Sequence, residues 1–224
     1  MSVWRKALLG LAAGVPLMLA ATGANAWWWL DRGSLKDGAP FSWTGLYVGS
    51  HYGVGMSNLD WNAAGNDLGQ TATGFLTGNQ IGYNVQTGGV VIGIEADGTW
   101  ARLLESKTAC PNPAFDCRQE VNWLASVRGK LGMTFNANRT MAYATGGYAW
   151  GSFDYSATPA AGGFSADNVH TGWVAGLGIE HAFAARWTAK FEYLFYNFSD
   201  DLVGTAGRFE PEVHVVRIGT NYKF

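Results

Sequence analysis

The sequence predicts an all-β chain: an eight-stranded antiparallel up-and-down β-barrel that crosses a membrane. Three observations lead there. Apolar residues recur with a period of two along most of the chain. The connections between those stretches alternate between short and long. A leader of export type is followed by no apolar run of the roughly 20 residues that a membrane helix needs.

Composition sets the frame. Of 224 residues, 48% are hydrophobic and 14% aromatic, but only 14% are charged, against roughly 25% in an ordinary soluble domain. There are 31 glycines and 11 tryptophans. The formal net charge of -2 leaves no basic excess to hold a phosphate backbone, which argues against a nucleic-acid partner.

The leader comes first. Arg5 and Lys6 form a basic start, "ALLGLAAGVPLMLAAT" an apolar centre, and Ala24-Asn25-Ala26 a small-x-small cleavage site. Pro16 interrupts the apolar stretch, which is short for a membrane anchor. Residues 1–26 are therefore expected to be a cleaved signal peptide with Ala24 and Ala26 at the cut. Residues 27–42 are expected to form a periplasmic segment, and 43–224 the barrel. Loss of Arg5 and Lys6 takes the net charge from -2 to -4.

The strands follow in order. In 45–56, Leu46, Val48, Tyr52 and Val54 share one parity, and Gly45, Gly49, His51 and Gly53 the other. In 74–86, Phe75, Ile81, Tyr83 and Val85 oppose Gly78, Gln80, Gly82, Asn84 and Gln86. In 90–100, Val90, Ile92, Ile94 and Ala96 oppose Gly93, Glu95 and Asp97. In 119–132, Val121, Trp123, Val127 and Leu131 oppose Asn122, Ser126, Arg128 and Lys130. The stretch 143–155 has strand composition without a readable parity. In 172–183, Trp173, Ala175, Leu177 and Ile179 oppose Gly176, Gly178 and Glu180. In 187–198, Trp187, Phe191, Tyr193 and Phe195 oppose Lys190, Glu192 and Tyr196. In 213–224, Val216, Ile218, Tyr222 and Phe224 oppose Arg217, Gly219, Asn221 and Lys223. Each stretch approaches the roughly 9–11 residues that cross a bilayer as a tilted strand.

Residues 87–89, 134–139 and 184–186 make three short turns, whereas 57–72, 101–119, 156–169 and 199–211 make four long connections. One tight rim and one loop-rich rim is the rhythm of outer-membrane barrels, with short periplasmic turns and longer extracellular loops. An even number of strands places both chain ends on the short-turn rim.

Alternation alone does not say which face is inside. Volume does: an eight-stranded barrel is just wide enough for side chains to fill, and the ring-rich face would overfill it. The aromatic face is therefore assigned to lipid. The other face then carries Glu95, Asp97, Glu180 and Glu192 with Arg128, Lys130, Lys190 and Arg217. Four acids and four bases make a balanced interior charge network, as a closed, dry lumen requires. In a soluble barrel the same residues would be scattered surface charges.

The pieces "WTGLYVG", "QIGYN", "GIEAD", "VRGKLG", "YATGGYAWG", "GWVAGLGIE", "KFEYLFY" and "VRIGTNYKF" occur in this order over almost the whole mature chain. As a set they resemble the small outer-membrane β-barrel proteins of alphaproteobacteria, often labelled surface immunogens or porin-family proteins. The resemblance implies envelope maintenance, contact with outer-membrane lipid and lipopolysaccharide, and display of surface loops. Some members of that family bind hemin or act as adhesins. It also implies that the strand carrying Arg217, Ile218, Tyr222 and Phe224 is read by the outer-membrane assembly machinery. It implies no catalytic residues and no cofactor. Trp27–Trp29 and "CPNPAFDC" lie outside the shared pattern.

Cys110 and Cys117 are the only cysteines, separated by a segment that Pro111 and Pro113 stiffen. In an oxidising compartment a disulfide making a rigid external knob is expected; zinc would need about four ligands, and no histidine lies nearby in sequence. His51, His170, His181 and His214 fall on separate segments without metal-ligand spacing. Only His170 and His214 fall near the long-loop rim, the one hook for a hemin or metal site. The glycine-rich stretches do not fit a nucleotide-binding turn, and nothing near Ser199 and His214 supports an activated nucleophile. The expected function is a non-enzymatic outer-membrane barrel. The alternatives are a surface binding protein for an unknown ligand, a small porin, or a soluble carrier with the aromatic face inside.

Overall fold

The computed structural model describes residues 41–63, 66–102, 105–109, 116–158, 164–198 and 209–224. They form strands β1 (Gly45–Ala63), β2 (Asn66–Thr87), β3 (Val90–Arg102), β4 (Glu105–Ala109), β5 (Asp116–Phe135), β6 (Thr140–Thr158), β7 (Phe164–Ala182), β8 (Trp187–Phe198) and β9 (Phe209–Lys223). Sheet order is β3-β2-β1-β9-β8-β7-β6-β5-β4, and β3 also pairs with β5. Strand β4 runs against β5 beyond the end of β3. The two together make one stave, and the molecule is a closed, eight-stranded antiparallel barrel.

Closure removes every sheet edge within the wall, which hydrocarbon demands because it hydrogen-bonds to nothing. The seam between β1 and β9 runs from Tyr47 opposite Lys223 to Trp61 opposite Phe209. The Phe224 amide continues it by donating to the Leu46 carbonyl at 3.0 Å. The short turns are tight. Gly88 has φ +61°, and Asn136, Ala137 and Asn138 form a left-handed run at +57°, +54° and +61°. Asparagine tolerates that region better than most side-chain-bearing residues.

The long connections are shorter than expected. Residues 57–63 pair with 66–72, and 105–109 with 116–120, so most of the first two are antiparallel ladder. The other two also give residues to β6, β7 and β9. At about 3.3 Å per residue, the 22 residues of β2 extend about 70 Å, far more than a core of about 30 Å needs. The hairpins therefore project beyond the bilayer. The reason they read as loops is physical. Ladder hydrogen bonds use the backbone, while the period-two signal depends on one face meeting lipid. Past the bilayer that constraint is gone.

Facing follows parity through the central wall. Leu177, Ile218 and Ile92 point outward at 65%, 60% and 62% exposure, while Glu95, Arg128, Glu192 and Arg217 are buried within. Strand β6 now has a parity: Met141, Tyr143 and Thr145 face in, and Tyr148 faces out. Val121 corrects the sequence reading. It is buried, because the register shifts between Val121 and Trp123. The bulge adds one residue and reverses the facing of what precedes it.

Two aromatic girdles bound the outer face. Trp100, Trp123, Trp173 and Phe195 lie toward the hairpins, and Phe135, Phe183, Trp187 and Tyr222 toward the turns. Trp173 on β7 and Phe183 just past its end are ten positions apart. That is about 33 Å of strand, or about 25 Å along the normal at a tilt near 40°, the height of an outer-membrane apolar band.

The interior has three layers. Phe41, Trp43, Val91, Met141, Tyr143 and Ala182 pack together at the turn end. The charged residues occupy the middle. At the hairpin end Leu76, Leu124, Leu194, Phe198, Val213 and Val215 belong to a second apolar cluster. The sequence reading placed no such cluster inside. At this level the outward neighbours on β8 and β9 become polar, with Asn197 beside Glu212. The chain is inverted within lipid and reverts toward the ordinary apolar-inside pattern where its outer face meets water.

Candidate functional site

The middle layer is assembled by register. Glu95 on β3 stands opposite Arg128 on β5, Glu180 on β7 opposite Lys190 on β8, and Glu192 on β8 opposite Arg217 on β9. Inward parity at each position then aims all six side chains into one small volume. Asp97 and Lys130, two residues along their strands, join them.

The eight residues named from the sequence form one connected cluster. Arg128 reaches Glu95 at 2.5 Å, Asp97 at 2.8 Å and Glu192 at 3.2 Å. Arg217 reaches Glu192 at 2.6 Å, Asp97 at 3.3 Å and Glu95 at 3.6 Å. Lys190 lies 3.0 Å from Glu95 and 3.7 Å from Glu192. Lys130 lies 3.1 Å from Glu95 and 3.6 Å from Glu180. Several of these contacts join strands that are not neighbours in the sheet. Arg128 to Glu192 and Lys190 to Glu95 bridge the lumen and tie opposite walls together. Every one of these side chains is essentially inaccessible, so charge balance is a condition of folding rather than a detail.

Two tyrosines that the sequence reading did not single out complete the cluster. Tyr47 donates to Glu95 Oε2 at 2.7 Å, and Tyr143 to Glu192 Oε1 at 3.0 Å. Both rings lie near Lys130 Nζ, at 5.1 and 4.6 Å from their centroids. Their room comes from glycine. A Cβ at Gly82 would collide with the Tyr47 phenol, and one at Gly178 with the Tyr143 ring. The glycines of "QIGYN" and "GLGIE" are thus the floor beneath two tyrosines on neighbouring strands. The readable signal was the inward parity of Tyr47 opposite Gly82.

The polar layer extends through neutral groups. His51 is fully buried, with Nδ1 2.6 Å from Gln80 Oε1 and Nε2 2.9 Å from Thr99 Oγ1. Gln80 Nε2 donates to Asn221 Oδ1 at 2.6 Å, and Asn221 Nδ2 to Glu180 Oε1 at 2.8 Å. Thr188 donates to the same oxygen at 2.5 Å.

Below this layer the "FSW" stretch crosses the turn-side mouth. Trp43 Nε1 donates to the Asn138 carbonyl at 2.8 Å, and its amide to Gln86 Oε1 at 2.9 Å. The Phe41 amide donates to the Ala137 carbonyl at 3.3 Å, and its ring meets Trp43 edge-on at 4.9 Å. Lys223 closes the group, donating to the Ser42 carbonyl and lying over the Phe41 ring.

The other sequence candidates fare differently. His170 and His214 do not converge: His170 is buried on the inward parity of β7, while His214 faces outward on β9, stacked near Tyr193 with Nδ1 2.7 Å from its hydroxyl. Opposite parity separates two residues that share a rim. Ile218 and Tyr222 face outward on β9 with Arg217 inward; Phe224 directly follows the strand, and its ring meets that of Tyr222 edge-on at 5.2 Å. Ala24, Ala26, Trp27–Trp29, Ser199 and Cys110 lie outside the described residues, so the expected disulfide does too; Cys117 lies near the start of β5.

Residues 33–224 match the family model described as outer membrane protein beta-barrel domain. The chain is 33% identical to the 31 kDa outer-membrane immunogenic protein of Brucella melitensis, over 96% of this chain and 98% of that protein. It is 27% identical to the 22 kDa outer membrane protein of Rhizobium leguminosarum bv. viciae, over 82% of this chain and 79% of that protein. Among solved structures, the outer membrane protein OprG from Pseudomonas aeruginosa aligns with a TM-score of 0.49 at 11% identity, covering 83% of this chain and 99% of that one.

Proposed function

Because the chain belongs to the outer-membrane β-barrel family, we propose that it is a non-enzymatic, non-conducting wall protein that supports the envelope and holds its long hairpins at the cell surface. The observation that carries this reading is the ion-paired cluster between two apolar layers. An ion crossing the barrel would have to displace side chains that already neutralise one another and then pass two dry ends. Contacts across the lumen also stiffen the wall, the property a structural barrel needs.

A planar-bilayer recording of the refolded protein tests it, once a heat-shift gel has established folding. Silence is the expected result. Reproducible conductance steps would put the small-porin reading in its place. In cells, loss of the protein should raise sensitivity to detergent, and the parent gene should restore resistance.

Two partners follow from the same reading. Lipopolysaccharide surrounds the hairpin-side girdle, and the assembly machinery reads the β9 strand through Tyr222 and Phe224. Replacing Phe224 by alanine removes a ring that is 64% exposed and meets the outward-facing Tyr222 ring. Refolding into detergent should therefore be nearly unchanged, while the amount assembled in the outer membrane falls sharply. Equal losses in both settings would make Phe224 a stability residue only.

A further inference from the structure

The outer wall carries a groove of about 430 Å³. Its floor is a line of register partners: His181 opposite Ala189, Ala189 opposite Thr220, and Thr220 opposite Ser50. Two residues to one side stand Ile179, Phe191, Ile218 and Tyr52; two to the other stand Phe183, Trp187, Tyr222 and Val48. Short side chains between bulky ridges make the depression. The line runs across strands that are themselves tilted by about 40°. It therefore climbs obliquely, from His181 beside the Phe183 rim to Ser50, which donates to Asn79 Oδ1 at 2.9 Å well up the wall.

Polar groups sit where hydrocarbon alone would leave them without a use. His181 lines the groove and holds Thr140 Oγ1 through Nδ1 at 3.0 Å, which leaves Nε2 to serve a ligand. Arg186 lies on the exposed turn below, with Nη1 donating to Tyr222 Oη at 3.0 Å; Tyr222 meets Trp187 edge-on at 5.1 Å on the lower ridge. A cation, an imidazole and an interfacial aromatic pair thus stand at headgroup depth, at the low end of an acyl-sized channel.

We propose that this groove is a specific site for one anionic phospholipid of the periplasmic leaflet. An acyl chain lies along Ala189, Thr220 and Ser50, glycerol-ester oxygens meet His181, and the phosphate meets Arg186. The width fits: the two bulky lines stand four residues apart along each strand, about 13 Å, and their own side chains leave between them the width of one acyl chain and not two. The low end opens on the turn rim, which faces the periplasm, so the source is phospholipid rather than lipopolysaccharide. A second barrel would present a convex wall, which bridges a groove without filling it.

Native mass spectrometry of the refolded full chain, titrated with phosphatidylglycerol in detergent, tests the proposal. One tightly held lipid per barrel is expected. Ala189→Phe should abolish it by filling the floor, and Arg186→Gln should weaken it about fivefold, the effect of one cation near an anionic headgroup. A heat-shift gel checks that both variants fold. Arg186→Gln alone decides the matter if Ala189→Phe does not fold, because Arg186 sits on an exposed turn. The proposal fails if the parent retains no lipid, if both variants bind like the parent, if lipid A is held in preference to phosphatidylglycerol, or if Ala189→Phe changes only a dimer population.

Discussion

Replacing Glu95 by alanine is expected to destabilise the barrel by about 3–5 kcal/mol, the usual cost of removing one partner from a buried ion pair. Glu95 is the hub of the lumen. Arg128, Lys130, Lys190 and Arg217 all lie within 3.6 Å of its carboxylate. Without it three carboxylates face four cations, and one positive charge is left in a space that water does not reach. Urea unfolding in lipid vesicles measures the loss, and the heat-shifted gel band should weaken in parallel. Because the cluster is buried, 1 M salt should leave the loss nearly unchanged, whereas an exposed pair would be screened. A loss below about 1 kcal/mol, or one that salt erases, would return these charges to the role of scattered surface groups.

The companion variant separates charge balance from specific contacts. Glu95→Gln combined with Lys190→Met removes one charge of each sign. Buried pairs replaced by neutral groups of similar volume often cost little, so the double variant should be more stable than Glu95→Gln alone. If it is worse, the contacts that bridge the lumen matter in their own right, and Lys190 holds the wall by geometry as well as by charge.

How much of this was legible depends on what each residue answers to. Along β7, β8 and β9, lipid on one side and ions on the other forced a strict alternation. Leu177, Phe191 and Ile218 were therefore assigned outward, and Glu180, Glu192 and Arg217 inward, from parity once the volume of the ring-rich face had decided which side is the lumen. Val121 was misassigned because a bulge costs one residue and leaves no glycine or proline to announce it. The hairpins beyond the bilayer read as loops because their ladder rests on backbone bonds, which every residue supplies. The apolar cluster around Leu194, Phe198 and Val213 was missed for a related reason: one inside-outside rule was applied to strands that leave the membrane partway. Partners across the lumen, such as Arg128 and Glu192, follow from barrel diameter and tilt, and neighbouring-strand patterns carry neither. Trp43 and Phe41, before the first strand, have no period to reveal that they fill the mouth.

Leu177→Arg tests the inversion itself. Leu177 lies on β7 between Trp173 and Phe183, near the middle of the band between the two girdles, and 65% of it is exposed. On a soluble barrel an exposed leucine replaced by arginine would cost nothing and would improve solubility. On a lipid-facing wall the guanidinium enters hydrocarbon, and the expected loss is about 2–4 kcal/mol at the midplane. The same change at Phe183, beside the turn, should cost only about 0–1 kcal/mol, because arginine there reaches the headgroups. The gradient between the two sites is the informative quantity. Core packing would penalise both alike, and a water-facing wall would penalise neither. Unfolding both variants in vesicles against the parent gives that gradient directly. Equal costs at the two positions would contradict the placement of the girdles, and no cost at either would contradict the assignment of this face to lipid.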